Sequence, residues 1–126
     1  MNSEDLKIRT RQFAHDCIKL ARELKYDAIN HHLKIQLIRS ATSAASNYQA
    51  ACISQSTQSF IAKLSISIEE IDEVKFWLTF MIEEGILLEK DIKDIMNEAN
   101  SIANILCRSR ITARSNLIKK KQTSSK

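Results

Sequence analysis

The chain contains no proline and a single glycine, Gly85, among 126 residues. A barrel or sandwich needs many tight turns, and tight turns need those two residue types, so an all-β fold is excluded. A Rossmann unit or a P-loop needs several glycines where backbone meets phosphate, so those are excluded too. Leu, Ile, Ala, Lys and Glu are frequent, as helices require. The length fits one domain with a real core.

No apolar run reaches the roughly 18 residues of a membrane span. The N-terminus, Met1-Asn2-Ser3-Glu4-Asp5, is polar and acidic and does not read as a signal peptide. Cys17, Cys52 and Cys107 are far apart and form no C-x-x-C pair, so they read as reduced thiols, and the expected location is the cytoplasm.

Four amphipathic stretches follow. Leu6, Thr10, Phe13, Cys17, Leu20 and Leu24 recur at helical spacing, with Ser3 as the expected N-cap and an end near Lys25 or Tyr26. A second helix, capped by Asp27 or Asn30, carries Leu33, Leu37, Ala41, Ala44, Tyr48 and Cys52. Its run of Ser, Ala and Thr implies close approach of another helix, within the bundle or across a subunit interface. Ser56 should cap a third helix whose main stripe is Phe60, Leu64, Ile68 or Ser67, Ile71, Val74 and Leu78. Gly85 suits the left-handed position that closes it. A short loop then folds a fourth helix back, with Leu88, Ile92, Ile95, Ala99, Ile102 and Leu106 inward. The architecture expected is a single all-α, antiparallel, up-down-up-down four-helix bundle over residues 1–113. Residues 114–126 would be a basic flexible tail, with Gln122 to Lys126 disordered.

The third helix has a second apolar flank, Ile66, Trp77 and Phe80, with Glu73 among them. A lone bundle would leave it wet, which predicts oligomerisation through that flank. Glu73 would need a cation there, and Arg39, the arginine of the second helix, is the candidate.

The net charge of +4 hides segregation. Acids outnumber bases ten to three between Glu69 and Glu98, whereas no acid occurs beyond Glu98. Arg108, Arg110, Arg114, Lys119, Lys120 and Lys121 therefore form a basic arm able to meet phosphates, without interleaved aromatics for base stacking. Catalysis is not indicated. His31 and His32 are adjacent and point about 100° apart on a helix, no Glu-x-x-His exists, and each cysteine lies on or beside an apolar stripe. No cofactor or metal is expected.

Taken in order, Gln36, Leu37, Arg39, Ser40, Ala41, Ser43, Asn47, Tyr48, Ala50 and Ala51, then Phe60, Ile61, Lys63 and Ile66, then Glu70, Glu73, Trp77 and Leu78, resemble the pattern of the four helix bundle proteins. These are also called S23 or 23S rRNA intervening-sequence proteins. The resemblance covers roughly Leu6 to Leu106, with departures at Ala44 and at Cys52-Ile53. It implies a left-handed bundle assembled as a homopentamer with a central channel, and no established enzymatic activity. Genes of that family often lie within intervening sequences of bacterial 23S rRNA genes. A similar bundle, the accessory variability determinant of diversity-generating retroelements, is a basic pentamer that binds a reverse transcriptase and nucleic acid. The function expected is a non-enzymatic oligomeric scaffold for RNA, DNA or a nucleic-acid enzyme. The alternative is a protein–protein adaptor without nucleic-acid affinity.

Overall fold

The computed structural model describes residues 1–124. Four helices make up the fold: α1 (Ser3–Arg22), α2 (Ala28–Cys52), α3 (Thr57–Glu83) and α4 (Glu89–Ser124). Cross-contacts run in opposite senses along the α2–α3 and α3–α4 pairs, so these neighbours are antiparallel. From α2 to α3, Ser67 Oγ donates to the Ala44 carbonyl, Arg39 meets Glu70 and Glu73, and His32 lies edge-on to Trp77. From α3 to α4, Ser65 pairs with Arg110 and Lys75 with Asn100.

Each helix boundary has a local cause. Asn2, not Ser3, caps α1, because its side chain accepts from the Asp5 N–H while the Asp5 carboxylate accepts from the Asn2 N–H. A cap at Ser3 would put Leu6 where that reciprocating carboxylate is needed. α1 ends at Arg22, short of the expected Lys25 or Tyr26. Side chains of α2 take over the carbonyls that follow: Lys34 Nζ donates to Leu24 and Asn30 Nδ2 to Lys25. Asp27 caps α2 and Ser56 caps α3, each through a side-chain oxygen.

Gly85 has φ +73°, and the N–H groups of Gly85 and Ile86 donate to the carbonyls of Ile82 and Met81. This is the left-handed Schellman closure that a β-carbon disfavours. The turn places Leu87 inside and leaves Leu88 58% exposed, so Leu87 replaces Leu88 at the head of the α4 stripe.

The core joins Phe13, Leu37, Leu64, Ile71, Leu78, Met81, Ile102 and Leu106, all sealed from solvent. Three hydroxyl residues sit among them because each donates its hydroxyl to a backbone carbonyl, Thr10 to Lys7, Ser40 to Gln36 and Ser67 to Ala44. Ser67, rather than the half-buried Ile68, therefore faces α2. Ser40, Ala41, Ala44, Ala45 and Ala51 are buried opposite α3 or α1, so the small-residue run serves close packing within the bundle.

α4 departs most from expectation. It continues as one helix through residue 113 and on to Ser124, with no break where a tail was expected to begin. Arg, Lys, Leu and Ala are strong helix formers, and one side of the segment still rests on α3, with Arg110 on Ser65 and Ala113 beside Phe60. Residues 122–124 are helical rather than disordered; residues 125–126 lie outside the described residues.

Candidate nucleic-acid interface

The packed half of α4 begins with acids in its first turn, Glu89 and Asp91, where they complement the helix dipole. The Leu88 N–H donates to the Asp91 carboxylate at 2.9 Å. Further along, Glu98 accepts Arg9 Nε at 2.8 Å and Nη2 at 2.6 Å, and that same Nη2 also reaches Ser101 Oγ. The hydrogen bonds and charge of Arg9 hold the Glu98 carboxyl below the usual carboxylate range. This fork fixes the register of α1 on α4. It places the start of α1 about 9 Å further toward the α4 C-terminus, level with Ile105 and Leu106.

Beyond that level α1 no longer covers α4. Arg108, Arg114 and Lys119 are exposed there, as are Lys120 and Lys121, while Arg110 is half-buried and donates to Ser65 Oγ on α3 at 3.2 Å. The overhang from Arg108 to Ser124 is about 24 Å of helix. A shallow depression runs along it, lined by Ile105, Arg108, Ser109, Thr112, Ala113 and Asn116. A second lies between Leu117, Lys120 and Lys121 and the α2–α3 connection at Gln55–Gln58. Carboxylates line neither depression. The acids at the start of α1 are engaged locally, Asp5 in the cap and Glu4 with Lys7 at 2.6 Å. The six bases of the arm share one continuous helix.

The outer flank of α3 is a separate surface. Ile66 is exposed, and Trp77 and Phe80 are half-buried. Phe76, absent from the expected set, is more than half exposed and joins both aromatics, at 4.9 Å from Trp77 and 5.9 Å from Phe80 between ring centroids. It stands three residues after Glu73 and four before Phe80, so helical spacing places it on the same flank, and that spacing was the signal that could have found it. Beside these rings the structure brings Arg39 and Glu73 together. Arg39 Nη2 donates to Glu73, its Nη1 donates to Glu70 at 3.1 Å, and Trp77 Nε1 reaches Glu73 at 3.4 Å. The Arg39 hydrogen bond first, then that from Trp77 and the Arg39 charge, lower the Glu73 pKa against a partial desolvation that raises it. Glu73 remains partly solvated, so this is a rim ion pair rather than a buried charge.

Burial pushes the Cys17 thiol up to about 12, which leaves it inert as a nucleophile. Among the described residues no cluster of three or more His, Cys, Asp or Glu is placed to hold a metal ion, and no helix is long and apolar enough to cross a membrane.

Comparison with known proteins accords with this architecture. A crystal structure of a protein of unknown function from the S23 ribosomal protein family of Bacteroides thetaiotaomicron is similar, with TM-score 0.75 and 27% identity. The match covers 83% of this chain and 97% of that one. None of the curated proteins searched matches. Residues 4–108 match the model of the 23S rRNA-intervening sequence protein, and the chain belongs to that family.

Proposed function

We propose that this protein is a non-enzymatic, cytoplasmic, oligomeric scaffold that presents the basic half of α4 to nucleic acid or to a nucleic-acid enzyme such as a reverse transcriptase. One observation carries the reading. After Glu98 the chain has no acid, and its six arginines and lysines from Arg108 to Lys121 stand on one continuous helix rather than on a loose tail. A rigid rod holds its charges at fixed spacing, so each phosphate contact costs less ordering entropy than it would from a disordered arm. The family description, which refers to 23S rRNA, agrees with a nucleic-acid context.

Self-association adds to this. Phe76, Trp77, Phe80 and Ile66 form an apolar surface along α3 that a monomer leaves in contact with water. A neighbouring copy is the cover proposed for it, with five copies the number that the family resemblance implies. Several arms in one assembly would bind a long polyanion through effective concentration.

Native mass spectrometry of the purified chain, with a check for co-purifying nucleic acid, tests both parts. The expected result is a defined homo-oligomer that binds RNA or DNA with steep salt dependence, and an R114Q/K119Q/K120Q/K121Q variant that assembles but has lost most of that binding. A folded monomer at micromolar concentration, its Trp77 freely quenched by iodide, overturns the assembly. An oligomer that binds no nucleic acid even at low salt overturns the scaffold reading and leaves the protein–protein adaptor.

A further inference from the structure

Beyond the level at which α1 begins, α4 shows a face with a particular chemistry. Arg108, Thr112, Ser115 and Lys119 follow at helical spacings of four and three, all exposed. Ser109 and Asn116 flank them in the depression already described. Cations thus stand at the two ends of the face and short hydroxyl and amide side chains fill the middle. No aromatic or acidic side chain lies on it.

We propose that this face of α4 is a cradle for the wide, shallow minor groove of double-helical RNA, with Arg108 and Lys119 on phosphates and Thr112 and Ser115 on ribose 2′-hydroxyls. The inference rests on the nucleic-acid reading above and narrows it to one partner. Three physical points select it. A-form RNA displays its 2′-hydroxyls in a shallow minor groove, where hydroxyl-bearing side chains are both donor and acceptor. The face offers no ring on which an unpaired base could stack, which disfavours a single strand. B-DNA is disfavoured by shape. Its minor groove, about 6 Å wide, is too narrow for a helix, and its major groove, about 8.5 Å deep, asks for a helix that stands free. α4 does not stand free. Arg110 is tied to Ser65 of α3, and Leu117 lies against the α2–α3 connection, so the surface is a broad ridge rather than a blade.

The test uses the full chain and fluorescence anisotropy with three probes of one sequence, each of about 20 base pairs or nucleotides: an RNA duplex, a DNA duplex and single-stranded RNA. The RNA duplex should bind at least tenfold more tightly than either competitor. R108Q/K119Q should weaken all binding and flatten the salt slope by about 0.9 per contact removed. T112V/S115A, two exposed changes that leave a helix intact, should weaken the RNA duplex about tenfold while DNA affinity and the salt slope stay unchanged. Equal affinity for the DNA duplex, tighter binding of the single strand, or a preference untouched by T112V/S115A overturns the inference and leaves the nucleic-acid reading standing. No binding to any probe at low salt overturns both.

Discussion

Between Glu89 and Leu106, α4 buries Ile92, Ala99, Ile102 and Leu106 and carries Glu89, Asp91, Asp94 and Glu98. Between Cys107 and Thr123 no side chain is fully buried and every formal charge is positive. The first half is helical because a core requires it; the second because its residues favour helix and one side of it still lies along α3. Stability should therefore respond to substitution in the first half, and ligand binding in the second. The sharpest check sets Ile102 against Ile118, one sealed and the other 57% exposed. I102A should cost about 2–5 kcal/mol in urea denaturation through lost burial and a cavity. I118A should change it by no more than about 0.5 kcal/mol. Similar losses at both sites would break the comparison, because the overhang would then be part of the core.

Gly85 tests the entry to the packed half. Nothing lies within 4 Å of where a β-carbon would stand, so crowding plays no part and only the positive φ opposes substitution. G85A should lower stability by about 1–2 kcal/mol, and G85N by less, since asparagine tolerates the left-handed region. An unchanged midpoint for G85A would mean that the turn relaxes freely and does not set the start of α4.

The Arg9–Glu98 fork, which sets where α1 stops covering α4, comes next in size. Both side chains are about a quarter to a third exposed, so solvent screens the pair and E98Q should cost only about 1 kcal/mol near neutral pH. The folded-state pKa of Glu98 is depressed below its ordinary value. Its contribution is therefore complete above the unfolded carboxylate pKa and fades as pH falls through the lower folded value. Wild type and E98Q should begin to converge in stability as pH falls below about 4 and meet only below the folded-state pKa of Glu98. A gap that persists in strong acid would assign the loss to packing rather than charge.

How far these features can be read from the chain follows the same division. Where burial imposes periodicity, as at Leu6, Thr10, Phe13 and Cys17 or at Leu64, Ile71 and Leu78, the core positions are legible, and so is the left-handed Gly85. Boundaries set by cross-helix hydrogen bonds were not legible. The end of α1 depends on Asn30 and Lys34, which only the fold brings to those carbonyls. Leu87 and Leu88 are equivalent by composition, and the Schellman turn alone decides which is buried. The overhang was misjudged for the opposite reason. Loss of hydrophobic period beyond Cys107 signals the end of the core; Ile111, Leu117 and Ile118 can prolong the helix, yet the basic composition from residue 114 reads as a flexible tail where the helix in fact continues. Of the candidate interface, the bases were plain in the sequence. The Thr112–Ser115 face was not, because its exposure depends on the level at which α1 begins, and that level is set by Arg9 on Glu98.

The smallest effect bears most on what the second half is for. Arg110 and Arg114 are one helical turn apart, and like charges at that spacing oppose a helix by about 0.2–0.5 kcal/mol. Lys119 to Lys121 add repulsion that their proximity to the negative end of the dipole only partly offsets. R114Q should therefore slightly raise amide-exchange protection in the last turns of α4 at low salt, and added salt should erase the gain as screening removes the repulsion. The same substitution should weaken nucleic-acid binding, so the two readouts move in opposite directions. A polyanion resolves that opposition, since neutralising Arg114 by phosphate relieves the repulsion that R114Q relieves by deletion. Bound nucleic acid should then protect the last turns of the wild-type helix more than those of R114Q. If protection by RNA is the same in both, Arg114 makes no phosphate contact, and the basic overhang divides into bases that bind and bases that only solvate the rod.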